Sequence, residues 1–242
     1  MKRSFLPFLL VMISGLSFAQ IEQDTTSTLN KTLNDSIVNM IEYNDIGFIW
    51  MGEGYGNSRL GFISDDYQRI RIRFLSVIQN YDNPFEYFIY GKSKVGENIC
   101  EFQGSVYIRE TGLIDEGEDS DFLQAFISGD YVLYEDPNCI HSGIFSGEFL
   151  NRIYFDEYGD VYYDDLNMEQ DGYSNSLFRG TWFNYDNGET ITCNWGDFRI
   201  PDSEEPDVGS QEFHPSFRYL DKGWKEYLEQ NENEQETEVW WD

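Results

Sequence analysis

Chemistry in this chain would rest on carboxylates, arginines and aromatic rings, because other reactive groups are few. Only two histidines occur, His141 and His214, and no serine stands in a G-x-S-x-G turn, so a hydrolase triad has no visible scaffold. Cys139 and His141 are two residues apart and supply at most half of a metal site. Gly52, Gly54 and Gly56 look like part of a phosphate loop, but no Lys-Ser/Thr pair follows them. The forty-five acidic residues permit the paired carboxylates of a glycoside hydrolase, yet in such abundance they single out no pair.

Three constellations remain. Arg69, Arg71 and Arg73 alternate with Ile70, Ile72 and Phe74, so the arginines share one face of a strand. They either form an anion-binding face, such as a positive floor inside a barrel, or pair with acidic residues of adjacent strands. Trp50, Trp182 and Trp195 lie in strand-like segments, where they serve a ligand platform, for sugar rings among others, or the core. Asp115 to Asp121 and Asp156 to Asp171 are oxygen-rich loops of the kind calcium takes. No window fits the EF-hand pattern: a frame starting at Asn167 puts Phe178 where the closing Glu belongs. The expectation is therefore no obligatory cofactor and no defined metal site, with calcium the one ion to consider.

The elements that hold these groups read as mainly β. Strand-like segments are Phe48 to Met51, Leu60 to Ile63, Arg69 to Ile78, Phe85 to Tyr90, Ile99 to Arg109, Phe122 to Tyr134, Gly143 to Phe155, Val161 to Asp164, Leu177 to Tyr185 and Thr190 to Ile200. Gly, Asn, Asp and Pro fill the linkers, as in Asn80-Tyr81-Asp82-Asn83-Pro84. Such a series predicts an antiparallel meander closing as a lipocalin-like barrel or a two-sheet sandwich. A short N-terminal helix is expected from Leu33, Ile37, Met40 and Ile41. The same reading gives a flexible leader and helix over 20–45, a single β domain over 46–224 and an acidic tail over 225–242 that ends in Trp240-Trp241-Asp242. That tail is either solvated or a docking peptide.

An aromatic–glycine–apolar signature recurs at Phe102-Gly104-Val106, Phe145-Gly147-Phe149 and Phe178-Gly180-Trp182. Glycine at such places marks a bulge, a bend or a close backbone approach. The alternative is a shallow repeat, which resembles MORN-type units in its aromatic–Gly–aromatic spacing.

Residues 1–19 read as a cleavable signal peptide. Lys2 and Arg3 precede an apolar core from Phe5 to Phe18, and Ser17-Phe18-Ala19 carries small residues where a signal peptidase cuts. Cleavage before Gln20 is expected to release a soluble periplasmic or extracellular chain with no further membrane span. The signal segment holds two of the sixteen basic residues and none of the acidic ones, so cleavage deepens the formal charge of −29 by two. That charge repels nucleic acid and anionic lipid but suits cations and basic partners. In an oxidising compartment the three cysteines allow one disulfide; Cys100 with Cys193, both in extended aromatic segments, is the expected pair, with Cys139 free or all three unpaired.

The strings Tyr67-Gln68-Arg69-Ile70, Asn83 to Lys92, Arg179-Gly180-Thr181-Trp182 and Cys193 to Pro201, with the Ala19-Gln20 junction, resemble uncharacterised exported proteins of the Bacteroidota. The likeness covers about Gly47 to Tyr227. It implies an envelope context and no established activity. In that context Asp35-Ser36-Ile37 and Asp24-Thr25-Thr26 look like O-glycosylation sites. The reading that results is a non-enzymatic binding or interaction protein whose ligand is a small molecule, a glycan or an envelope protein. A structural or surface-assembly protein is the second reading, and a carboxylate-dependent hydrolase the third.

Overall fold

Alternation of Ile70, Ile72 and Phe74 with three arginines fixes which face of the second strand turns inward, and the other strands follow the same parity. The computed structural model describes residues 35–52, 59–114, 122–203, 205–210, 212–232 and 239–242. The expected signal peptide over 1–19, the expected leader to residue 34, Gly54 and Gly56, and the acidic stretch 115–121 lie outside them. A helix, α1, runs over 35–43, and Phe48–Met51 form one further turn, α2. Nine strands follow: β1 (Arg59–Ile63), β2 (Gln68–Asn80), β3 (Asn83–Val95), β4 (Asn98–Leu113), β5 (Leu123–Glu135), β6 (Gly143–Phe155), β7 (Val161–Tyr163), β8 (Asn175–Asn184) and β9 (Thr190–Asp197). A 3₁₀ turn (Phe217–Lys222) and a helix, α3 (Trp224–Glu232), complete the described elements.

Every pairing is antiparallel, and β9 pairs with β1 while β5 pairs with β6. The sheet thus closes on itself as an up-and-down ring of eight strands, with short β7 laid beside the end of β6. Closure removes the exposed edges that an open meander would leave. The segment Phe48 to Met51, expected to be a strand, is instead the helical turn α2. Its buried Ile49 and Trp50 are adjacent rather than alternate, and Gly52 ends the turn in the left-handed conformation.

The interior is filled by rings. Phe74, Phe102, Phe145, Phe178 and Trp195 are all fully buried, and Phe178 stacks on Trp195 at 5.1 Å between centroids. Two of the three aromatic–glycine motifs face each other in register: Phe145 opposes Trp182, Gly147 opposes Gly180, and Phe149 opposes Phe178. A Cβ at Gly147 would stand 2.1 Å from the Arg179 carbonyl oxygen, and one at Gly180 2.6 Å from the Tyr131 hydroxyl. The glycines are therefore where the wall bends tightly and leaves room for the Tyr131 ring.

One end of the barrel is plugged. Ile37 and Ile41 of α1 and Ile49 and Trp50 of α2 join the main core, and Trp50 packs edge-on against Tyr87 and Phe149. Its indole N–H donates to Asn151 Oδ1 at 2.9 Å. At the other end the four hairpin turns β1–β2, β3–β4, β5–β6 and β8–β9 surround an opening.

Candidate functional site: the open barrel mouth

Because β5 runs toward the open end, its last residue, Glu135, carries the inward parity of Tyr131 and Leu133 to the rim of the core. Glu135 is 4% exposed. Its carboxylate accepts hydrogen bonds from the Ser93 hydroxyl, from the Gly143 N–H at 2.8 Å and from the Trp182 indole N–H at 2.9 Å. Burial pushes its carboxyl pKa up, against the pull of these three donors. No basic side chain pairs with it among the described residues.

This carboxylate borders a cavity of about 480 Å³ in the mouth. The apolar wall includes Ile70, Phe145 and Ile191, and Trp182 contributes a large ring beside Glu135. Asn98, Asn184 and His141 stand around it. His141 holds a left-handed backbone (φ 53) in the β5–β6 turn. That turn is tied to the barrel by a disulfide between Cys139 and Cys100, the first part of β4.

The bond differs from the expected Cys100–Cys193 pair. Cys100 lies on β4 and Cys193 on β9, and four strand steps around an eight-strand ring place them on opposite walls. A disulfide needs Cα atoms within about 7 Å, which opposite walls forbid. The turn Asp136-Pro137-Asn138 instead brings Cys139 to Cys100 with Cα atoms 5.9 Å apart. Cys193 is the free, fully buried thiol, and burial raises its pKa well above the ordinary value.

Of the six residues expected to bind a ligand, the structure puts only Trp182 at the mouth. Trp50 belongs to the plug at the opposite end, and Trp195 sits in the middle of the core with no exposed surface. Arg69 and Arg71 point outward rather than forming a floor within the barrel, because the inward positions of β2 are taken by Ile70, Ile72 and Phe74. The arginines meet Tyr227, Trp240 and Trp241, described residues of the segment expected to be an acidic tail. Arg69 lies 5.2 Å from the Tyr227 ring, Arg71 5.7 Å from Trp240 and Arg73 5.2 Å from Trp241. Glu226 of α3 reaches Arg69 at 3.9 Å and Arg71 at 3.8 Å, so the pairing partner comes from a helix and not from an adjacent strand.

Among the described residues no three His, Cys, Asp or Glu side chains converge as a metal site. Asp164, from the second acidic stretch, is buried against Gln124 at 3.0 Å and Arg152 at 3.6 Å. Sequence reasoning missed Glu135 and Ser93. The available signal was parity: Glu135 continues the inward series of Tyr131 and Leu133 at a strand end.

The fold and site thus define a small closed antiparallel barrel with one plugged end and one open, carboxylate-bearing mouth. No protein family, curated protein or solved structure matches the chain. No described helix is long and apolar enough to cross a membrane.

Proposed function

We propose that this is an exported, non-enzymatic binding protein of the cell envelope or exterior that takes a small ligand into the barrel mouth. The observation that carries this reading is Glu135, a nearly buried carboxylate on the wall of a cavity lined by both apolar and polar side chains, without a basic partner among the described residues. Leaving a charge out of water without a counter-charge costs several kcal/mol. Such a group is retained at a pocket when a ligand completes its environment. The ligand that fits has an apolar body against Phe145, Trp182 and Ile191 and a hydrogen-bond donor or a positive group directed at Glu135. Affinity comes from shape and burial, and orientation from the carboxylate.

The export reading draws on the signal-like residues 1–19 and on the Cys100–Cys139 bond, which suits an oxidising compartment. The resemblance to exported Bacteroidota proteins agrees with that setting. Tryptophan fluorescence during titration with small amines and amphiphiles, compared between the native chain and Trp182→Phe, tests the proposal. The expected result is a saturable change in the native chain that the variant lacks.

A further inference from the structure

We propose that the outer face of β2 is a second binding site, separate from the mouth, and that its partner is residues 239–242 of a second copy of this chain. Opposed residues of an antiparallel pair share a face, and Arg71 opposes Lys94 while Arg73 opposes Lys92. With Arg69, five of the chain's sixteen basic residues stand together on the outside of β2 and β3. In a chain of net charge −29 this face draws acidic segments. The stretch from Glu229 to Asp242 is such a segment, with six carboxylates and no basic residue. The fold shows its aromatic end seated on the face: Trp240 lies 5.7 Å from Arg71 and Trp241 5.2 Å from Arg73, and Trp240 is 7% exposed. Planar guanidinium groups stack on flat indoles, so the chemistry recognised is a tryptophan pair in an acidic setting.

The way residues 239–242 are held lets another copy supply them. Among the described residues none exchanges a hydrogen bond with 239–242, and the buried Trp240 indole N–H has no acceptor there. Stacking and burial alone hold them. The start of α3 is fastened differently: Gln68 donates to the Lys222 carbonyl at 2.9 Å, and the Trp224 indole donates to the Tyr67 carbonyl at 2.8 Å. The helix therefore stays with its own barrel, whereas 239–242 are replaceable. Every contact they give up on one barrel is remade when they settle on the same face of another, as in a domain swap. Attachment within one chain gives the segment a local concentration of order millimolar, so each copy covers its own face in dilute solution. An uncovered face takes the segment of a neighbour.

Two full-length variants separate the partners. Trp240→Ala/Trp241→Ala keeps the face and loses the residues that cover it, and Arg71→Gln/Arg73→Gln keeps those residues and loses the face. In sedimentation velocity each variant alone is expected to stay monomeric, and their equimolar mixture to form a one-to-one complex at least about tenfold tighter than self-association of the native chain. A labelled peptide of residues 229–242, followed by fluorescence anisotropy, is expected to bind the tryptophan variant at least about tenfold more tightly than the native chain, whose own segment competes. Adding Arg71→Gln to the tryptophan variant weakens the peptide several-fold. Circular dichroism checks that each variant folds. Should the glutamine pair not fold, the native chain decides: a dimer that grows toward millimolar concentration and is lost in the tryptophan variant supports the proposal, and a monomer throughout overturns it. A mixture that stays monomeric overturns it even where the peptide binds, because the face then serves an acidic partner other than this chain. Peptide binding indifferent to Arg71→Gln overturns it as well.

Discussion

Arg71 and Trp240 lie 169 positions apart in the sequence, yet the guanidinium carbon lies 5.7 Å from the centre of the indole. With Arg69 on Tyr227 and Arg73 on Trp241, the contact makes a ladder in which the C-terminal segment straps the outer face of β2. Trp240 is buried there although it stands at the end of a strongly acidic sequence. Removing Trp240 by Trp240→Ala is expected to destabilise the fold by about 1–3 kcal/mol, through the lost cation–π contact and lost burial. Arg71→Lys should lose part of this, since an ammonium stacks less well than a planar guanidinium. Urea denaturation of both variants checks the order.

The disulfide makes a second prediction. It closes a separation of 39 residues, for which loop-closure entropy gives about 4 kcal/mol at most. The double variant Cys100→Ser/Cys139→Ser should lose roughly 2–4 kcal/mol while keeping the barrel. Non-reduced peptide mapping should show Cys100 linked to Cys139. Cys193 should resist alkylation in the native chain and react after unfolding, because its thiol is buried and its pKa is raised. A Cys193 that alkylates at the rate of an exposed thiol would contradict the inward placement of β9.

Gly147 and Gly180 face each other where a Cβ would overlap the neighbouring backbone. Gly147→Ala and Gly180→Ala are each expected to cost several kcal/mol or to prevent folding, since backbone and the Tyr131 ring would both have to shift. Alanine at Gly96, whose added Cβ meets nothing within 4 Å, is the comparison; there the cost comes only from its positive φ. Thermal unfolding of the three variants ranks them.

Glu135 ties stability to pH with a definite sign. Burial raises its folded pKa above the unfolded value of 4.5, so the folded chain holds this proton more tightly than the unfolded chain does. The stabilising contribution is fully present below that unfolded value and is lost as pH rises through the folded one. Partly buried Asp197, whose pKa desolvation raises above 3.8, acts in the same direction. Glu135→Gln should therefore gain on the native chain as pH rises from 4.5 toward neutrality. Paired melting curves across that range give the difference directly, free of the global charge effect common to both proteins.

The barrel is legible in particular stretches of sequence. Arg69 to Phe74 alternates strictly, and the expected strand Gly143 to Phe155 coincides with β6. Closure as a barrel or a sandwich follows from the series of strands, but the particular pairing of β9 with β1 is not legible, because it is set by strand tilt and the packed rings, which no local pattern records. The arginine stripe stands out clearly while its partner does not: nothing in β2 announces that Trp240 and Trp241 return to cover it. Glu135 is hidden among forty-five acidic residues and distinguished only by parity at a strand end. The wrong disulfide follows from the same gap, since two strand-borne cysteines look alike until the ring places them on opposite walls.

The central claim is that the mouth holds a ligand against Trp182 and Glu135. Its most direct measurement is a titration followed by tryptophan fluorescence, run in parallel on the native chain, Trp182→Phe and Glu135→Gln, with small ligands that carry an apolar body and an amine. The account predicts a saturable change in the native chain, its loss in Trp182→Phe and an affinity lowered about tenfold or more in Glu135→Gln, in keeping with a lost charge-assisted hydrogen bond. Binding that survives unchanged in both variants, or a native signal flat across the whole panel, would contradict it.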